Sequence, residues 1–506
     1  MPKPSSKGKS GGTPKATIER LWSVFAEIER RENLVSWQVG SIFIWPLIRA
    51  SLMREVAEQL GVFEPRPAQA KVGDSALGGL AGLAGLGRSA GSARASKYAV
   101  VPFVRRNSSG LDPFSTYIVD SLEAHGEQPL IFGMGPDDFD SGRPQVEQLE
   151  REFVARYGWL AKLKVAPTLR TRHTAKYARV ISHLEVGLKN EAIQNDLDVV
   201  ALTGPYRQFP RWLLVQFAAQ RMGWARLFAR AGVRKVFVVN AWKRAMIAGA
   251  QDAGAKVVEP MHGAISDIHP YLTWENQDWV AYQPDELLEW GEYWGEIANL
   301  PAHTKRKVIG APSVVVDAIA RERELAAVDQ AHLSNTVVVA SQAHATKKIT
   351  RFLLEAAAQH PTFIFTLKQH PQESPVDFES VANKAFRKGK LATAKVPSNL
   401  ILADPSVNTL ELMARSEFVL GVYTTALFEA VALGCKVGVL AFSGWHHIRR
   451  LVERGDAKLI EDQRDLDKFL KSLSGRDISA DRSRADYYYA PPASEAELWA
   501  AIKIAE

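Results

Sequence analysis

The stretch from Phe363 to Ala441 constrains the fold most. It opens with the apolar run Phe363-Ile364-Phe365-Thr366-Leu367 and breaks into Lys368-Gln369-His370-Pro371-Gln372-Glu373. It closes with Phe418-Val419-Leu420-Gly421-Val422-Tyr423, the hydroxyl pair Thr424-Thr425, a helix-length segment from Leu427 to Gly434, and the apolar run Lys436 to Leu440. Short apolar runs that end in polar turns and alternate with helix-length segments predict a parallel sheet with crossover helices. In such sheets ligands bind outside the carboxyl ends of the strands. His370 and the Thr424/Thr425 pair both fall at such ends, so they are expected to line one crevice.

The chemistry at those ends suits a phosphate. A helix starting near Thr425 presents free backbone N–H groups and the positive end of its dipole. Two hydroxyls add donors, and His370, Lys368 or both can supply further donors or charge to a leaving phosphate. Glu429 follows Thr425 by one helical turn, where it can accept hydrogen bonds from a ribose. The plainer alternative stays open: Thr424 as an N-cap and Glu429 as a solvated helix residue.

The Lys-x-His-Pro-x-Glu turn, followed about 50 residues later by Gly-x-x-Thr-Thr-x-x-x-Glu-Ala-x-x-x-Gly, resembles the donor half of GT-B glycosyltransferases of bacterial surface polysaccharides. The nearest groups use cytidine-activated donors: bacterial sialyltransferases, Kdo transferases of capsule and lipopolysaccharide, and CDP-glycerol polymer transferases. The resemblance spans roughly Val236 to Ile460. It implies that His370, Pro371, Thr424 and Thr425 hold the nucleotide and its phosphate. It also implies that Ser341, Gln342 and Lys347, in the loop after the strand Thr336–Ala340, touch the donor phosphates.

Elsewhere the same resemblance marks His262-Gly263, which ends the strand Lys256–Met261. It is similar to the Gln-His-Gly or Trp-His-Gly turn of these transferases, with Met261 in the preceding place. That turn implies a reaction-centre histidine acting as a base. Asp267 is the second candidate base, and Glu259 or Asp267 would be the nucleophile of a retaining enzyme. Val308-Ile309-Gly310-Ala311-Pro312 resembles the interdomain connection.

Composition limits the alternatives. Basic residues number 63 and acidic residues 56, a net charge of +7. That mild excess is not the concentrated basicity of a nucleic-acid binder, and it suits anionic substrates or an anionic membrane surface. Cys435 is the one cysteine, so no intramolecular disulfide can form. It lies in an apolar run that predicts burial. No apolar core of a secretory signal occurs in Met1–Lys15, and no run has transmembrane length. A cytoplasmic protein is expected, with contact to the inner face of the membrane left open.

Residues 1–16, rich in Lys, Ser, Gly and Pro, are expected to be disordered. Residues 17–64 read as a helical segment, with Pro46 suited to a first helical turn. Its Trp37 and Trp45 suggest packing or a surface role. Residues 65–97 form a Gly-rich linker. Residues 98–305 are expected to be an acceptor domain in which Arg105 and Arg106 face an acidic acceptor or solvent. Gly133-Met134-Gly135 is too short a fragment to mark a dinucleotide site. Asp137, Asp138 and Asp140 read as a solvated turn or, less simply, a metal site. No other ligand spacing suggests a metal, so none is expected, and no cofactor besides the donor. Residues 306–485 are the donor domain, and 486–506 a helix returning to the first domain.

The expected fold is therefore α/β, with two Rossmann-like domains facing a cleft after a helical amino-terminal segment. The expected function is transfer of a sugar, of an acidic nonulosonic or Kdo type, from a CMP-activated donor to a glycan, lipid-linked or protein acceptor. A CDP-glycerol phosphotransferase, a nucleotide-sugar epimerase and a non-catalytic, membrane-peripheral binding protein are the alternatives.

Overall fold

The computed structural model describes residues 14–59, 95–103, 111–134, 143–166, 171–195, 211–239, 243–274, 277–328, 335–342, 345–370, 373, 375–387, 395–472 and 482–504. The expectations for the tail before Pro14, the Gly-rich linker up to Arg94, Arg105 and Arg106, Gly135, the Asp137–Asp140 turn and Pro371 lie outside these residues.

The amino-terminal segment is two helices, α1 (Pro14–Arg31) and α2 (Trp45–Gln59), around a small hairpin of β1 (Gln38–Val39) and β2 (Ile42–Phe43). The hairpin interrupts the helical segment expected over residues 17–64. Gly40 turns the chain there with φ 60°, a left-handed conformation open to glycine. Trp37 is 4% and Trp45 0% exposed, so both tryptophans serve the core rather than a surface. Phe25, Trp37, Trp45 and Ile48 join one apolar cluster with Phe153, Tyr177, Trp224 and Trp274 of the following domain. Among the described residues no helix is long and apolar enough to cross a membrane.

Two six-stranded sheets, parallel throughout, make the body of the protein. The first contains β3 (Tyr98–Val101), β4 (Leu130–Ile131), β5 (Lys235–Val238), β6 (Lys256–Pro260), β7 (Glu286–Glu289) and β8 (Lys305–Val308). Its order is β4-β3-β5-β6-β7-β8. The second contains β9 (Thr336–Ala340), β10 (Ile364–Lys368), β11 (Leu400–Leu402), β12 (Phe418–Gly421), β13 (Lys436–Leu440) and β14 (Lys458–Ile460), ordered β11-β10-β9-β12-β13-β14. Central strands such as Phe418–Gly421 are buried along their whole length, which is why they read as unbroken apolar runs. These are two Rossmann-like domains, the GT-B architecture. The sequence reading ends the first domain at residue 305, but Lys305–Val308 pairs with β7 as the first sheet's edge, so the chain leaves that sheet after Val308.

In each sheet the first strand in the chain has neighbours reached by crossovers in opposite directions. These switch points lie between β3 and β5 in the first domain and between β9 and β12 in the second. A crevice opens there, because the flanking loops diverge to opposite faces of the sheet.

The chain finally returns to the first domain. Ala490 N donates to Trp290 O and Ala493 N to Ile309 O. A Cβ on Gly310 would lie 2.2 Å from Pro491 O, so only glycine lets this segment pass so closely. The last helix, Glu495–Ile502, then packs on the first sheet, where the Lys235 ammonium donates to Ala501 O and Lys503 O.

Candidate active site

At the second switch point, the turns after β9, β10 and β12 are joined by side chains. Gln342 follows β9. Its Nε2 donates to Tyr423 O at 2.6 Å, and its Oε1 accepts from Tyr423 N at 3.1 Å. One amide thus clasps the turn that leads from β12 into helix Thr425–Ala432. Thr424 is the N-cap of that helix and accepts from Ala426 N at 3.3 Å. The N-cap reading of Thr424 therefore holds. It does not compete with phosphate binding, since the other first-turn N–H groups still point out of the helix.

Glu373 ties the remaining turns together. Its Oε1 accepts from Ser341 Oγ at 2.9 Å and from Thr346 Oγ1, and its Oε2 accepts from His370 N at 2.6 Å. His370, Ser341, Gln342, Thr424 and Thr425 are thus carried on one hydrogen-bonded set of turns. Glu373 and Tyr423 stand in the sequence beside the residues singled out, yet their linking roles depend on which strands are neighbours.

Lys368 stands apart from the phosphate role expected of it. Its Nζ donates to Asp404 O at 3.1 Å and Pro405 O at 2.8 Å, fastening the turn after β11. Lys347 is exposed at the start of helix Thr346–Gln359. Glu429 is half-buried one turn into its helix, and burial, with the Glu429 charge adding to it, raises the Tyr489 phenol well above its usual range.

The first domain contributes from the loop after β6. The His262 ring packs on Phe103, which follows β3, with centroids 4.7 Å apart. That contact brings His262 to the first switch point. Glu259 lies beneath on β6, 3% exposed, within the field of the buried Arg244. A nucleophile must touch the sugar, and this burial closes that role to Glu259 in this conformation. Asp267 is 7% exposed, and its Oδ2 accepts from Arg449 Nη2 at 2.7 Å and Arg450 Nε at 2.8 Å. That double ion pair suits a carboxylate joining the domains better than a base.

A second contact joins the domains beside it. Ser266 Oγ and His447 Nδ1 lie 3.0 Å apart, and the His447 ring packs on Tyr423 with centroids 5.1 Å apart. Contacts thus run from the Glu373 hub to Ser341 and, from its chain neighbour Gln342, through Tyr423 and His447 to Ser266, four residues beyond His262. His447 and Ser266 escaped the sequence reading because only the domain pairing gives them meaning.

No family model matches this sequence, and no curated protein matches it. Several solved structures show a distant likeness. MurG of Acinetobacter baumannii is similar at TM-score 0.45 and 11% identity, over 80% of this chain and 98% of its own. The UDP-GlcNAc 2-epimerase of Methanocaldococcus jannaschii is similar at TM-score 0.40 and 12% identity, over 77% and 97%. Anabaena HepE, solved in complex with UDP-glucose, is similar at TM-score 0.40 and 11% identity, over 80% and 98%. Likeness at this level leaves substrate and reaction open.

His269, in the same loop as His262, makes the first domain sensitive to acid. Burial pushes its imidazole down to about 3, helped by the charges of His262 and Arg244. Its Nδ1 accepts from Leu272 N at 3.2 Å, so the native ring is neutral. The unfolded chain binds this proton near pH 6.5, while the native chain resists it down to about 3. Stability is therefore expected to fall as pH drops below about 6.5, by up to about 1.4 kcal/mol per pH unit from this group alone. Denaturant titrations between pH 4 and 7 check this. His269→Asn should flatten the acid limb by up to one proton, and an unchanged slope would contradict it.

Proposed function

We propose that the chain is a glycosyltransferase whose second domain holds a nucleotide-activated sugar and whose first domain presents the acceptor. The observation that carries this is the Gln342 clasp on Tyr423. It aims a hydroxyl-capped helix N-terminus at the crevice between β9 and β12. In that crevice the first-turn N–H groups and the Thr425 hydroxyl would donate to the leaving phosphate, and His370 would add a further donor. Across the cleft His262 would take the acceptor proton. The motif resemblance favours a CMP-linked acidic sugar as donor.

Nucleotide release tests this reading. Slow release of CMP from a CMP-sugar by hydrolysis is expected, and faster release when a glycan acceptor takes the sugar in place of water. Release from CDP-glycerol alone would point to a phosphotransferase, and no turnover with any nucleotide-linked donor would overturn the proposal. His262→Ala should lower turnover by about 100-fold, the lower end of what a general base supplies, and leave nucleotide affinity within about twofold. Full turnover in a folded His262→Ala protein would remove His262 from the reaction.

A further inference from the structure

Behind the Ser266–His447 contact, a cavity of about 280 Å³ opens along the seam between the domains. That is room for about nine water molecules at ~30 Å³ each, the scale of a single small ring with its hydroxyls. Its wall is built by four parts of the chain: the loop carrying Asp267, the helix Glu292–Ile297 with Asn299 beyond it, Arg450 and Arg454 from the second domain, and Tyr487 from the returning segment. We propose that this cavity binds a neutral sugar ring.

The lining argues for that class. Two guanidiniums, of Arg450 and Arg454, face two carboxylates, of Asp267 and Glu296, so the charges balance and a net charge on the ligand gains nothing. Most of these groups are already held in place. Arg450 bonds Asp267 and Glu453, Arg454 pairs with Asp456 and lies 4.3 Å over the Tyr487 ring, and the Tyr487 hydroxyl donates to Glu296. Fixed planar donors and acceptors beside tyrosine rings match a ring that carries hydroxyls on its edge and C–H groups on its faces.

The ring's role as part of the glycan acceptor rests on the glycosyltransferase reading, but its binding does not require that reading. The cavity takes its walls from both domains, so an occupied cavity would also hold them in one relative position.

Calorimetric titration of the full chain with methyl glycosides of glucose, galactose and N-acetylglucosamine, without nucleotide, tests the site. Saturable binding of at least one is expected, with a dissociation constant on the order of millimolar. Ile297→Trp, which fills the cavity from its wall, should abolish it, and Glu296→Gln, which keeps the shape, should weaken it about fivefold. Absence of binding in the wild-type chain, or wild-type affinity in both variants, overturns the proposal. A parallel nucleotide titration keeps the two readings apart. Nucleotide binding without glycoside binding defeats the cavity alone, and the converse defeats the donor site alone.

Discussion

Replacing Arg49 with alanine is expected to destabilise the protein by about 3–5 kcal/mol, the size observed when one partner of a buried ion pair is removed. Arg49 is 3% and Glu29 2% exposed. The Arg49 Nε donates to Glu29 Oε1 at 2.5 Å and its Nη1 to Pro270 O at 3.0 Å, while the guanidinium lies 4.1 Å over the Trp274 ring. Trp45 Nε1 shares the same carboxylate oxygen at 2.8 Å. Alanine would leave a carboxylate buried with one neutral donor and a carbonyl without its partner. Replacing both partners, as in Glu29→Leu with Arg49→Met, should recover part of the loss, because no charge is then buried, while Trp45 Nε1 and Pro270 O still lack the partners they had. Equilibrium denaturation measures both. A single-variant loss below about 1 kcal/mol would show that the pair is not the anchor described. Because Pro270 lies in the same loop as His262, turnover of Arg49→Ala should fall even at temperatures where the chain stays folded.

The second large effect is expected at Glu373. Glu373→Ala should weaken nucleotide binding by about 100-fold, equivalent to ~2.7 kcal/mol. The carboxylate accepts from Ser341 Oγ, Thr346 Oγ1 and His370 N, and hydrogen bonds to a charged acceptor are worth about 1.5–3 kcal/mol each. Removing it frees the turns after β9 and β10 together. The strands beneath are held by their own ladder, so the midpoint of thermal unfolding should move by only a few degrees. Glu373→Gln keeps two acceptor lone pairs and should fall between wild type and alanine. Unchanged affinity in Glu373→Ala would show that these turns do not hold the ligand.

Much of this fold was legible in the sequence, for a physical reason. Thr336–Ala340 and Lys436–Leu440 are strands with the bounds their composition predicts, because strands covered by helices on both faces must be apolar nearly throughout; Leu400–Leu402, at the edge of its sheet, was legible from its apolar run although Ile401 is exposed. The reading failed where that condition lapses. β8 is the edge strand Lys305-Arg306-Lys307-Val308, and its first three residues are exposed, so nothing apolar announces it. The β1–β2 hairpin was hidden inside an apolar stretch whose spacing also fits a helix, and Gly40 alone marks the turn.

The site divides in the same way. His370, Thr424 and Thr425 stood out because they sit at strand ends, which periodicity locates. The Glu373 hub, the Gln342 clasp and the Ser266–His447 contact depend on strand order and domain pairing. A single sequence does not display those. Lys368 shows the converse, since its type and place suggested a phosphate, while its neighbours Asp404 and Pro405 already hold it.

The central claim is that the crevice between β9 and β12 holds a nucleotide. Calorimetric titration of the wild-type chain and of Gln342→Ala with CMP, CDP, UDP and GDP tests it most directly. One of the four should bind the wild-type chain at one site per chain. Gln342→Ala, which releases both backbone groups of Tyr423 at the mouth of the helix, should bind the same nucleotide at least tenfold more weakly. Binding of no nucleotide, or equal affinity in the two proteins, would contradict the account.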